Sequence, residues 1–311
     1  MEYVFVIHNG KQDYVKSCLN SAKKNKNITI YIGDNYEIER YADEFFLESE
    51  ITSNFGDFVN SYKHMSTNSE LFELGCFKRF FLMYEIAKKK EINHFWMIDS
   101  DVLLLINLTK FTQETLLNQG YKASLSTQFE TNEYGLSSSP HISFWTLEAL
   151  DHFIKYCLSV YVTKKEKLES KYFYHKNNDL SGGICDMTIL NLWSKEYSLI
   201  FNNAMTHNTN QLYFDHNINE SINYSDDQVR MEFFLMIKKV SHYKNNYYIR
   251  SNNSDQIYQL ACLHFQGPAK KYMSTFEKTK STLLLYYVRH IPKNILIILR
   301  NKIKKYINIL L

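Results

Sequence analysis

The chain has 311 residues, 45% of them hydrophobic and 22% charged, which excludes an intrinsically disordered protein and suits one large globular unit or two close-packed ones. Nine Gly and three Pro exclude a collagen-like or turn-dominated scaffold, and an aromatic share of 15% leaves rings for both a core and a ligand cleft. The net charge of +3 is unevenly divided: residues 278–311 hold eight Lys or Arg and no acid, leaving −5 on the remainder.

Five cysteines, Cys18, Cys76, Cys157, Cys185 and Cys262, include no close pair that would clasp zinc or exchange disulfides. They read as buried thiols in a reducing cytoplasm. The first residues enter an apolar run without the basic segment of a secretory signal, and no run of about eighteen apolar residues predicts a spanning helix.

In chain order, Tyr3 to Ile7 and Ile28 to Ile32 read as strands around a Lys-rich helix from Tyr14 to Lys24, a β-α-β opening. A second helix, Leu71 to Lys90, carries Leu74, Phe77, Phe81, Tyr84 and Ile86 on a broad apolar face and leads into a strand, His94 to Ile98. Phe111 to Ser143 mixes helix and short strands. Leu147 to Lys171 reads as helix, with the charged run Lys164 to Glu169 as a solvated face. Residues Asn202 to Asn223, rich in Asn, His and Tyr with weak periodicity, read as loops over a site or a sheet edge. The body, residues 1–277, is therefore expected to be one α/β unit with a mostly parallel sheet flanked by helices.

Residues 278–311 form the expected tail. From Pro292 onward, Ile295, Leu296, Leu299, Ile303, Tyr306, Ile307 and Leu310 recur at helical spacing, while Lys293, Arg300, Lys302, Lys304 and Lys305 fill much of the remaining circumference. Such a basic amphipathic helix either docks its stripe on the core or dips into an anionic bilayer surface, which would place the protein peripherally on the inner face of the cytoplasmic membrane.

Two motifs carry chemistry. Asp99-Ser100-Asp101 follows the apolar strand Phe95 to Ile98; on a regular strand both carboxylates would point to one face, where their repulsion calls for a cation between them. Hard, oxygen-seeking Mn²⁺ or Mg²⁺, which bridge phosphates, suit that place. The alternative is a strand end whose acids cap the next helix or meet water. Later, His264-Phe-Gln-Gly267-Pro-Ala-Lys270 offers an imidazole for a metal, a Gly for close backbone approach to phosphate, and a Lys as a point charge. Its alternative is a core histidine followed by a Gly-Pro turn.

Together these motifs resemble the Mn²⁺-dependent nucleotide-sugar glycosyltransferases of the GT-A fold, above all the glycogenin and lipopolysaccharide galactosyltransferase group with its late H-x-x-G-x-x-K. The resemblance implies that Asp99, Asp101 and His264 bind the metal and that Gly267 and Lys270 contact the donor diphosphate, with Ser100 beside them. It also implies a UDP-sugar donor and a glycan or lipid-linked acceptor, as in surface polysaccharide or lipopolysaccharide synthesis. Lys271-Tyr272 stands where the group usually has Pro-Trp.

Other residues fit the same scheme. His8, after the first strand, and Asp34, after the second, sit where such enzymes hold the nucleoside; Lys78 and Arg79 lie on the helix that reaches the donor, or are solvent cations. Gly182-Gly183 followed by Asp186 at a helix start resembles the acceptor side of the reaction centre. Asp186 is the candidate catalytic carboxylate, a general base if the reaction inverts and a stabiliser of the oxocarbenium-like centre if it retains; otherwise it is an acid favoured by a helix dipole. Competing readings are a haloacid-dehalogenase-like phosphohydrolase with Asp226 and Asp227 as later ligands, and a non-catalytic GT-A binding module. Nucleic-acid binding is not expected, because the cations concentrate in the tail without a reading motif.

Overall fold

A computed structural model describes residues 1–130, 132–205, 212–234, 236–254 and 256–282; the expected amphipathic helix from Pro292 onward lies outside the described residues. The opening is the expected β-α-β unit: β1 (Tyr3–His8), α1 (Tyr14–Lys24) and β2 (Ile28–Gly33), followed by β3 (Glu44–Leu47). Helices α2 (Phe55–Ser61) and α3 (Glu70–Lys89) lead to β4 (His94–Ile98), β5 (Val102–Leu104), a single turn α4 (Thr109–Phe111), β6 (Ala123–Thr127) and β7 (Ser138–Thr146). Then come α5 (Leu147–Thr163), α6 (Lys165–Asn177), α7 (Asp186–Glu196) and β8 (Ile200–Asn202). Short strands β9 (Leu212–Phe214), β10 (Phe233–Phe234), β11 (Ile237–Lys238), β12 (Val240–Tyr243), β13 (Asn246–Arg250) and β14 (Ile257–His264) precede α8 (Met273–Thr279).

The main sheet has the order β3-β2-β1-β4-β7-β6-β8. Every neighbouring pair is parallel except the two that involve β7, so one antiparallel strand sits in an otherwise parallel sheet. Side chains alternate across it as the period of two requires. Val4, Val6, Trp96 and Ile98 enter one core with Val15, Cys18 and Leu19 of α1, while Phe5, Phe95 and Met97 enter the other with Phe77, Phe80 and Phe81 of α3. Both faces are covered, which is why these strands read as continuous apolar runs.

A smaller sheet, β12-β13-β14-β5 with β9 beside β14, was not foreseen from sequence. It positions the site. At the end of β4 the chain leaves the main sheet through a turn over Asp99–Asp101, closed by the Val102 amide donating to the Asp99 carbonyl at 3.0 Å, and enters β5. β5 then pairs antiparallel with β14, placing Val102 opposite His264. The two acids are thus turn residues at a sheet-to-sheet crossover rather than neighbours on one strand face. Antiparallel pairing delivers an imidazole from about 160 residues away to the end of that turn.

The expected helix over Leu147 to Lys171 is two helices. The break falls at Lys164, whose backbone leaves helical geometry at φ −118°, ψ 20°. The charged run that reads as a solvated face is also where a continuous apolar stripe is lost, so nothing obliges the chain to stay straight. Among the described residues no helix is long and apolar enough to cross a membrane.

Candidate functional site

The centre of the site is Asp101, which is 5% exposed. One carboxylate oxygen lies 3.3 Å from His264 Nε2 and the other 3.1 Å from Lys270 Nζ. Asp99 accepts from Arg79 Nη1 at 2.7 Å. Arg79 also pairs through Nη2 with Asp186, a buried residue at the first position of α7, and donates from Nε to the Cys76 carbonyl at 2.9 Å. Thus Asp99, Asp101, His264, Lys270, Arg79 and Asp186 form one connected cluster drawn from four separate segments.

The ligand atoms of Asp99, Asp101 and His264 all lie within 4.8 Å of one another. His264 Nδ1 faces the His216 carbonyl. A carbonyl oxygen only accepts, so Nδ1 carries a hydrogen and Nε2 is the nitrogen directed at the acids, a donor to Asp101 when the ring is protonated and a ligand when it is not. Two carboxylates and one imidazole, with the second imidazole nitrogen anchored to backbone, are a donor set that fits a divalent cation of hard to borderline character.

The electrostatics point the same way. Burial alone would raise Asp101, but the charges and hydrogen bonds of His264 and Lys270 outweigh it and hold its carboxyl well below the usual carboxylate range. Burial pushes Asp99 up, against Arg79 and with Asp101. Burial lowers His264, yet Asp101 and Asp99 leave it above its ordinary value. A proton on His264 therefore does part of the work a divalent cation would do, and must leave when one binds.

That competition has a signed consequence. In metal-free protein the raised His264 contributes stability that is fully present below the unfolded value near 6.5 and is lost as pH rises through its folded pKa. Metal binding has the opposite trend, because it needs the neutral ring. The rise in melting temperature caused by Mn²⁺ should be small at pH 5.5 and grow through pH 7.5; a shift that shrinks over that interval would contradict the ligand set.

His8 ends β1 with Nδ1 2.9 Å from Ser100 Oγ and Nε2 2.6 Å from Gln12 Oε1, so Ser100 ties the turn of acids to the first strand. Asp34 accepts the Gly10 amide at 2.8 Å and shapes the loop after β1. Tyr14, expected only as the start of the first helix, connects these parts: its ring lies edge-on to His8 at 5.7 Å, and Lys270 Nζ sits 5.6 Å from its centre. Lys78 is paired with Glu48, which also receives Asn9 Nδ2 at 2.5 Å; among the described contacts it does not join the acids.

The three glycines divide by use. Gly267, at φ +59° at the start of the 3-10 turn Gly267–Tyr272, has open space where a Cβ would stand. Gly182, whose amide donates to Thr67 Oγ1 at 2.8 Å, and Gly183 serve a loop-to-loop pairing with residues 65–67 instead. At Gly183, φ is +140° and a Cβ would fall 2.4 Å from the Met65 carbonyl oxygen. Gly183→Ala should lower stability by roughly 2–3 kcal/mol in urea unfolding; a wild-type midpoint would show that this loop relaxes freely.

Asp226 and Asp227 bond locally, to Gln228, and among the described residues neither belongs to the Asp99–Asp101–His264 group. A cavity of about 540 Å³ lined by Phe233, Ile237, Val240 and Thr282 shares no residue with the cluster. The sequence reading also missed Asp215, His216 and Lys238, which lie beneath His264.

No family model matches the sequence, and no curated protein matches it. Solved structures similar to the chain include the galactosyltransferase LgtC in complex with donor and acceptor sugar analogs, 14% identical, covering 94% of this chain and 98% of that one at a TM-score of 0.46. Mouse xyloside xylosyltransferase 1, apo form, is 12% identical over 64% of this chain and 83% of its own, at 0.45. The bifunctional glycosyltransferase WbbM is 11% identical over 93% and 51%, at 0.43. At TM-scores below 0.5 and identities of 11–14% these likenesses carry neither fold nor function over to this chain, and the chemistry has to be read from its own side chains.

Proposed function

We propose that the chain is a metal-dependent glycosyltransferase that takes a sugar from a nucleotide-sugar. The observation that carries this reading is the convergence of Asp99, Asp101 and His264, ligand atoms within 4.8 Å, with Lys270 3.1 Å from Asp101. In this reading Asp99, Asp101 and His264 Nε2 hold Mn²⁺ or Mg²⁺, which when bound supplies positive charge to the departing nucleoside diphosphate.

The chain's own groups do the rest. Lys270 is 38% exposed and bonded to Asp101, so it can swing from that carboxylate to a diphosphate oxygen and neutralise charge as the glycosidic bond breaks. Gly267 allows the backbone to approach the same phosphate without a side chain intervening. His8, Tyr14 and Asp34 form the nucleoside end, with Ser100 holding His8 to the acids. Arg79 fixes Asp99 and Asp186 in one plane of contacts, and Asp186 faces the acceptor side, as base or as stabiliser of the sugar.

The motif resemblance selects a UDP-sugar as donor and a glycan or lipid-linked acceptor in surface polysaccharide synthesis. Residues 1–277 are the catalytic unit in this scheme, and 278–311 a basic tail that brings it to an anionic membrane; removing residues 293–311 should weaken liposome binding and leave transfer to a soluble acceptor nearly unchanged. The function itself is tested by incubating the protein with UDP-glucose, UDP-galactose and their N-acetylated forms, with Mn²⁺ or EDTA. Metal-dependent release of UDP from one donor is expected, and release that is equal in EDTA, or seen as free phosphate instead, would overturn it.

A further inference from the structure

Beneath the metal-ligand cluster lies a second buried layer. Lys238, 1% exposed, and Asp215, fully buried, pair at 2.5 Å through Nζ and Oδ1. The same ammonium donates to the Asn217 carbonyl at 2.9 Å, so Lys238 grips the chain on both sides of His216. Asp215 Oδ2 accepts the His264 backbone amide at 3.1 Å. Its carbonyl faces His141 Nε2 at 3.0 Å, while Ser139 Oγ lies 2.9 Å from His141 Nδ1.

His141 is stacked on His264, ring centres 4.6 Å apart and planes 11° from parallel. The nitrogens of His141, His216 and His264 are close enough to hold a cation. Both nitrogens of His141 are nonetheless occupied, one donating to a backbone carbonyl and one facing a hydroxyl, which makes it a fixed plate rather than an open ligand.

Resting on the reading of Asp99, Asp101 and His264 as a cation site, we propose that Lys238, Asp215 and His141 are positioning residues that fix the tautomer and tilt of the His264 ring. Lys238 holds the 215–217 segment so that the His216 carbonyl receives Nδ1–H; Asp215 holds the His264 backbone; His141 blocks rotation of the ring. Freed of any one of these, Nε2 no longer has a set direction, and a divalent cation loses a preformed ligand. A buried ion pair is a costly way to gain stability alone, since an apolar pair of similar volume often serves as well.

The test measures Mn²⁺ affinity by loss of the free-ion electron paramagnetic resonance signal, with UDP at saturation. It compares wild type, Asp101→Asn, His141→Ala, His141→Phe, and the double variant Lys238→Met/Asp215→Asn, which leaves no unpaired buried charge. His141→Ala removes the plate whereas His141→Phe keeps a stacked ring of similar size, so this pair carries the test should the double variant fail to fold. Affinity about tenfold or more weaker in His141→Ala, with most of it restored in His141→Phe, supports the positioning role. Wild-type affinity in His141→Ala, with Asp101→Asn still unable to bind, overturns that role and leaves the cation site standing. No Mn²⁺ binding by wild type overturns both.

Discussion

Asp101→Asn is expected to abolish metal-dependent donor binding and to lower turnover by about 10³-fold or more, the scale on which removal of a preorganised electrostatic group acts in a dry site. Asn keeps the shape of Asp101, so the fold should survive. What disappears is the charge to which His264 at 3.3 Å and Lys270 at 3.1 Å both respond. His264 then loses the first cause that lifts it above its ordinary value, and its titration should move down. Lys270 is more than a third exposed, and water can replace its partner, so the stability cost of that contact stays under about 1 kcal/mol. Loss of function with a retained melting curve separates a site residue from a structural one, and wild-type turnover in this variant would remove Asp101 from the site.

Arg79→Met should produce the largest loss of stability. The guanidinium bonds Asp99, Asp186 and the Cys76 carbonyl at once, and Asp186 is only 3% exposed. Without it Asp186 becomes a buried carboxylate with no counter-charge, a change that costs about 3–5 kcal/mol and lowers the melting temperature by roughly 6–15 °C. Arg79→Lys should rescue little, since one ammonium cannot reach two carboxylates and a carbonyl in a fork. A stable Arg79→Met protein would mean that Asp186 is reached by water in solution.

The parts of the fold that were legible in the sequence are those with local, repeated signals. Tyr3 to Ile7 and His94 to Ile98 read as strands because both faces of the main sheet are buried, and α1 and α3 read as helices because their apolar stripes face it. The second sheet was not legible. Its strands are three to eight residues long, and all but one lie in a stretch rich in Asn and Tyr; its role depends on that one, β5, from the other half of the chain.

The same distinction runs through the site. Asp99, Asp101, His264 and Lys270 are carried by two compact motifs, and residue type with spacing was enough to pair them. Asp215 and Lys238 are separated by 23 positions and by short strands, and a lone Asp or Lys in a polar stretch reads as solvated surface. Only tertiary contact reveals them as a buried pair. Lys78 adjoins Arg79 in sequence, but one step around a helix turns a side chain by about 100°, and it meets Glu48 rather than the acids.

The most direct test of the whole account is calorimetric titration of UDP into the full chain with Mn²⁺ and, separately, with EDTA, set beside GDP, CDP and TDP. One nucleotide should bind in a 1:1 ratio with Mn²⁺ and fail to bind in EDTA or to Asp101→Asn. Nucleotide binding that is indifferent to both the metal and Asp101 would contradict it.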